Sequence, residues 1–345
     1  MEQCGIDVHK SQSQVCIVDK NGTVVLEKRV RTSAEALRAL LGVRPRMRVL
    51  VEAGTESEWV ARCLEDSGHE VVVADPNFAA MYATRSKRVK TDLRDARTLA
   101  EAARLGAYRP AHRTSEQQRT IRTILAAREV LVQSRTKAIN QVRATLRARG
   151  LRVRSGTSVG FPERVGEVPL PIEVRAAVKT MLTTVEHLSQ QITTLEKQLQ
   201  AEAHSDARVQ RLTTAPGVGL LSAAAFVATI DDASRFQRGH QVSSYLGLVP
   251  SEASSGEKQR RGHITCAGDR KMRCLLIQAA LAAQRTRRAD AQHLREWAAK
   301  IGARRGKRIA MVALARKLSG ILWAMMRDET EFEPRADPRA HSIAA

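Results

Sequence analysis

The first 75 residues hold a succession of apolar runs too short for helices and too evenly punctuated for one long element. Residues 4–8, 15–19 and 23–27 come first, the last two parted by Asn21-Gly22, a pair that supplies the positive φ a tight hairpin turn needs. Residues 33–41 then read as a helix, 48–52 as a strand, 58–67 as a helix closed by Gly68, and 70–74 as a buried strand, with a further helix beyond. The order is βββαβαβα. Three strands joined by short turns, then two reached through helices, dictate a mixed sheet with helices packed on it.

That order is the order of an RNase H-like α/β fold, expected over residues 1–110. The acids within it are the chemistry candidates. Asp7 lies in the first strand, Glu52 ends the fourth, and Asp92 and Asp95 enter the following helix three residues apart, on one face. In an RNase H-like sheet the first and fourth strands are neighbours and the last helix crosses their ends, so the four carboxylates are expected to converge. Crowded like charges raise one another's pKa. Two Mg²⁺ ions would relieve that strain and stabilise the attacking and leaving oxygens of a phosphodiester. Taken singly, each acid also fits a plain structural role, Asp92 and Asp95 as acids at a helix N-terminus.

Charge supplies the second constraint. Lys and Arg number 57 against 36 Asp and Glu, for a net +21 and a pI near 10.7, which points to a polyanionic partner, nucleic acid first. Aromatics at 3% argue against base stacking as the main binding mode. The charge is uneven: residues 1–100 carry a net +2, residues 101–160 a net +10, residues 161–205 a net −2, and the remainder a net +11. No apolar run is read as long enough to span a membrane, and the start shows no basic-then-apolar leader. Five cysteines without a CxxC pair argue against a disulfide scaffold or a structural zinc site and place the chain in a reducing cytoplasm.

Residues 115–149 lack Gly and Pro and predict one long helix with Ile121, Leu125, Val132, Ile139, Val142 and Leu146 at helical spacing. Residues 150–171 read as a loop. Residues 172–203 predict a second long helix, whose Leu182, Val185, Leu188, Ile192, Leu195 and Leu199 fall close to a heptad seam. A coiled-coil middle region, 111–205, is therefore expected, as an intramolecular hairpin or as a dimer seam. A mainly α unit, 206–328, follows, with a frayed tail over 329–345. It opens on Ala215-Pro216-Gly217-Val218-Gly219, where Gly217 and Gly219 either offer backbone N–H groups to a phosphate or simply start a helix. Further helices are predicted at 271–285, 293–303 and 307–326. Ser254-Ser255-Gly256-Glu257-Lys258, followed by Arg260, Arg261, Lys271 and Arg273, places a serine in a Gly turn amid cations. Such a serine can attack a phosphodiester while arginines offset the developing charge, although Ser-Gly turns are also common loops.

Two motif sets carry a resemblance. Gly5-Ile6-Asp7-Val8-His9-Lys10, Glu52-Ala53 and Lys90-Thr91-Asp92-Leu93-Arg94-Asp95-Ala96 resemble the N-terminal half of DEDD-type insertion-sequence transposases, the insertion-sequence one-ten family, related to Piv-type DNA invertases. Pro216-Gly217-Val218-Gly219, Tyr245-Leu246-Gly247-Leu248-Val249-Pro250, Ser254-Ser255-Gly256 and Gly268-Asp269-Arg270 resemble its C-terminal half in order and spacing. The resemblance implies a RuvC-like N-terminal domain with Asp7, Glu52, Asp92 and Asp95 as metal-binding catalytic acids, and Ser255, next to Ser254, as the nucleophile. It implies a bacterial, cytoplasmic and nucleoid-associated recombinase that cuts and rejoins double-stranded DNA. It also implies homo-oligomers, dimers pairing into tetramers, with acids of one subunit meeting the serine of another. A structured noncoding RNA, the bridge RNA, would guide donor and target choice. Phosphate contacts are then expected from Gly217, Gly219, Lys258, Arg260, Arg261, Arg270 and Arg273. Thr265-Cys266-Ala267 stands where the family has a more basic run.

Three other classes fit less of the chain. A Holliday-junction nuclease shares the acids but needs neither Ser255 nor residues 206–327. A sugar kinase or actin-like ATPase needs Gly-rich phosphate loops that are missing here. A non-enzymatic nucleic-acid-binding protein explains the charge but not the acids.

Overall fold

The apolar runs near the N-terminus pair into a five-stranded sheet in a computed structural model that describes residues 1–82, 91–252 and 261–334. Contacts divide the chain into two compact units, Met1–Arg113 and Thr114–Ala345. The first is a mixed α/β unit and the second is mostly helical.

In the first unit β1 (Gln3–Val8), β2 (Gln12–Val18) and β3 (Val24–Arg31) form an antiparallel meander, followed by α1 (Ala34–Leu41), β4 (Arg48–Glu52), α2 (Ser57–Glu65), β5 (Glu70–Ala74) and α3 (Asp92–Leu105). The sheet order is β3-β2-β1-β4-β5, with β1–β4 and β4–β5 parallel. The β2–β3 turn sits where Asn21-Gly22 predicts it: Gly22 takes φ +87°, and Asp19 Oδ1 accepts from the Asn21 and Thr23 amides, both at 2.8 Å. Strand alternation then sorts the core. Cys4, Ile6, Val15, Ile17, Val49 and Val51 join Leu37, Leu41, Val60 and Leu64 of α1 and α2. On the other face Cys16 and Val18 meet Ala96 and Ala100 of α3. Those alanines keep α3 close to the sheet. A side chain at Gly5 would collide with the α3 backbone at Ala96, Leu99 and Ala100. A glycine inside a strand marks such a close approach.

The second unit opens with α4 (Glu116–Arg147), α5 (Phe161–Gly166) and α6 (Ile172–His204). Helices α4 and α6 pack as an antiparallel hairpin within one chain, with Arg128 Nη2 2.7 Å from Glu196 Oε1 and Arg135 Nη1 donating to Ser189 Oγ at 3.2 Å. Along α6, Val178, Val185, Ile192 and Leu199 are buried seven apart, with Val174 and Ala203 buried at its ends, while Leu182, Leu188 and Leu195 are half-buried. The connection read as a loop contains α5, whose Phe161 and Val165 are fully buried. Pro162 sits in the first helical turn, where its missing N–H costs nothing, so it starts this helix rather than breaking it.

Beyond the hairpin come α7 (Ala207–Thr213), α8 (Leu220–Ile230), α9 (Gly239–Tyr245), β6 (Pro250–Glu252), β7 (Arg261–Ile264), α10 (Arg270–Arg285), α11 (Gln292–Arg305) and α12 (Lys307–Asp328). One core joins them, and Ile121, Ile124, Leu199 and Ala203 at the hairpin's root belong to it. Helix α12 corrects one expectation. It is long and apolar enough to cross a membrane by length and composition, yet half of its apolar window is buried, with Leu314, Leu318 and Leu322 in the core. It is the central helix of this bundle.

Candidate active site

Parallel pairing of β1 with β4 sets Ile6 opposite Val51, so the strands run on to Asp7 and Glu52 at neighbouring carboxyl ends. Helix α3 packs across β1, β2 and β4, and its first turn carries Asp92 and Asp95. Thr91 caps it, accepting from the Arg94 amide at 3.3 Å. The four predicted acids are thereby brought together. Their proximity shows in Asp7, whose carboxyl is held above the ordinary aspartate range. Burial is the main cause; His9 opposes it, and Asp95, Asp92 and Glu52 add to it.

Neighbours orient these groups. His9 Nε2 lies 3.2 Å from Asp7 Oδ2 and 3.3 Å from Asp92 Oδ1. Arg29 Nη2 donates to Asp92 Oδ2 at 3.0 Å, and Tyr82 Oη donates to Glu52 Oε2 at 2.6 Å. Asp7, His9 and Asp92 offer three ligand atoms within 4.8 Å of one another. The half-exposed carboxylates suit a hard divalent cation such as the expected Mg²⁺, and the imidazole beside them suits a borderline one.

In the second unit the predicted residues part company. Ser254, Ser255, Lys258 and Arg260 lie outside the described residues. The strands that flank them do pair, Pro250 with Ile264 and Glu252 with Arg261. The base of this hairpin is held by Gly247 and Gly268, at φ +68° and +70°, where side chains would strike the Ala267 and Tyr245 carbonyls. Arg270 is exposed in the first turn of α10, beside Asp269, which caps the helix through the Lys271 and Met272 amides. Gly219 is exposed at the start of α8. Gly217 takes φ +80° and packs on the α10 backbone at Ala279 and Ala283, so packing alone requires a glycine there. Arg273 is a correction. It is buried and donates to the carbonyls of Leu246, Ala267 and Gly268, which turns its guanidinium into the protein and away from any phosphate.

Known families match both units. The DEDD_Tnp_IS110 transposase model matches residues 4–149, and the Transposase IS116/IS110/IS902 family model matches residues 209–295. A "Probable family 20 transposase" of Pseudomonas aeruginosa is 33% identical over 97% of this chain and 99% of its own length. The chain belongs to the IS110 family of transposases. The transposase for insertion sequence element IS1111A of Coxiella burnetii is 30% identical over 94% of this chain and 90% of its own. That for element IS1328 of Yersinia enterocolitica is 28% identical over 95% and 97%.

Four further residues surround the acids of this transposase: Gly5, His9, Arg29 and Tyr82. His9 follows the strand aspartate by two residues, but the turn that brings its ring back to the carboxylates is not set by local sequence. Gly5 carried a signal, a glycine inside an apolar strand. Tyr82 and Arg29 carried none, because only the tertiary fold brings them to Glu52 and Asp92.

Proposed function

We propose that this transposase cuts and rejoins DNA by metal-assisted phosphodiester transfer, with Asp7, Glu52, Asp92 and Asp95 as the metal-binding acids and Ser255 as the nucleophile. The observation that carries the reading is the convergence of four carboxylates from three separate elements on one sheet edge. The strand order β3-β2-β1-β4-β5, with its antiparallel meander and two parallel strands, supports an RNase H-like, RuvC-like architecture.

Divalent cations, when held by these carboxylates, lower the charge of the phosphate and stabilise the attacking and leaving oxygens. The chain's own residues do the rest. Tyr82 fixes one Glu52 oxygen, and Arg29 fixes one Asp92 oxygen. The Ser255 hydroxyl loses its proton as Oγ attacks phosphorus, and the bond to the leaving DNA oxygen breaks. A DNA hydroxyl then displaces the serine and restores its O–H. The serine of one subunit meets the acids of another in this reading, within a homo-oligomer. A structured noncoding RNA selects the DNA by base pairing, which leaves the protein shape and backbone contacts that many arginines and few aromatics suit.

A rejoining assay with the element's own flanking DNA tests it. Asp7→Asn and Ser255→Ala are each expected to abolish rejoined product, by at least about a thousandfold, with DNA binding retained. Rejoining that survives Ser255→Ala overturns the serine mechanism and favours hydrolysis by water at the same acids.

A further inference from the structure

We infer that His9 is a metal ligand, which gives the acidic site a nitrogen donor and biases it away from Mg²⁺ toward transition-metal divalent cations. The inference rests on the proposal that the carboxylates bind divalent cations, and it adds a residue and a selectivity to that proposal.

Three observations support it. The first is spacing. Ligand atoms that bond one metal at about 2.0–2.2 Å stand about 3.0–3.5 Å apart when adjacent. His9 Nε2 stands 3.2 Å from Asp7 Oδ2 and 3.3 Å from Asp92 Oδ1. The second is how Asp92 divides its oxygens: Oδ2 accepts from Arg29, and Oδ1 is the one turned to His9. Asp7 likewise turns Oδ2 to the imidazole. One oxygen from each acid and one ring nitrogen thus form a compact three-donor set. The third is anchoring. The His9 carbonyl accepts from Thr32 Oγ1 at 2.8 Å, and Thr32 Oγ1 lies 2.8 Å from Ser13 Oγ. This ties the turn after β1 to the start of β2, so the backbone that presents the imidazole is fixed by sheet register.

The consequence is selectivity. Mg²⁺ prefers an all-oxygen shell, whereas imidazole favours later divalent cations. Removing a nitrogen ligand should therefore weaken a transition metal far more than Mg²⁺.

Full-length protein titrated with Mn²⁺, followed by electron paramagnetic resonance, tests this, with Mg²⁺ affinity read by competition. Bound Mn²⁺ is expected to show nitrogen coupling from a histidine. In His9→Ala that coupling disappears and Mn²⁺ affinity falls about tenfold, while Mg²⁺ affinity changes by less than about twofold. Thermal melting confirms that the variant is folded. Bound Mn²⁺ that Asp7→Asn releases but that shows no nitrogen coupling overturns the role of His9 and leaves the carboxylate site standing. Mn²⁺ binding indifferent to Asp7→Asn overturns the carboxylate site and this inference with it.

Discussion

Asp7 holds its carboxylate at a cost to folding. Its carboxyl is raised above the ordinary range by burial, against the opposing pull of His9, and then by Asp95, Asp92 and Glu52. A raised carboxyl means that the folded state keeps its proton at a pH where the unfolded chain has lost it. Stability therefore falls as pH rises from the unfolded value, about 3.9, through the folded one, and stays lower above it. Asp7→Asn should accordingly melt higher than the native protein at pH 7 in chelator, with the gain shrinking as pH approaches about 4. A divalent cation at about a hundred times its Kd should stabilise the native protein by roughly 2.7 kcal/mol and leave Asp7→Asn unchanged. Gly5 belongs to the same argument. Gly5→Val forces α3 from the sheet and should cost about 1–3 kcal/mol or more in urea unfolding, with loss of metal binding, because Asp92 and Asp95 move with the helix. The acids were legible in the sequence because strand ends and a three-residue helical spacing place carboxylates by rule. His9, Arg29 and Tyr82 were not, since their partners lie 83, 63 and 30 residues away or depend on a turn that sequence leaves open. The reverse error was Arg273, where a cation beside a Gly turn read as a phosphate contact and proved to be a buried strut for carbonyls.

Long helices were the easiest elements to read, and their burial the harder part. Absence of Gly and Pro located α4, and the near-heptad spacing located α6, but spacing alone left a hairpin and a dimer seam equally open. The structure packs α4 on α6 within one chain and, in the middle of α6, buries one residue per heptad. Ile192→Ala is expected to cost about 2–4 kcal/mol in urea unfolding, and half-buried Leu188→Ala clearly less. Helix α5 was missed because its Gly and Pro read as loop punctuation, whereas burial of Phe161 and Val165 pays for one helical turn and a half. Where α4 ends, Arg143, Arg147 and Arg152 line a cavity of about 360 Å³ with Leu151 and Val153. This lies in the stretch 101–160, whose net +10 suits phosphate contacts. The double variant Arg147→Ala, Arg152→Ala should lower the slope of log affinity against log salt by about 1.5–2 for duplex DNA, with melting unchanged. An unchanged slope would place the phosphate contacts elsewhere.

At the scale of the whole chain, Ile121, Ile124, Leu199 and Ala203 at the root of the hairpin share a core with residues of the helices that follow. Side-chain patterns report which face of a helix is apolar and not which neighbour covers it, so this shared core was not legible in the sequence. The sheet order was visible because a hairpin turn and crossover helices leave a mixed sheet few alternatives. The proposed phosphodiester transfer joins the acids of one subunit to the serine of another. Its most direct measurement is a covalent trap. The protein is expressed with its native flanking DNA and denatured, the DNA is digested, and peptides spanning Ser254 and Ser255 are weighed. The account predicts a nucleotide remnant on Ser255 that disappears in Asp7→Asn. Rearranged DNA without any serine adduct, or an adduct that persists in Asp7→Asn, would contradict it.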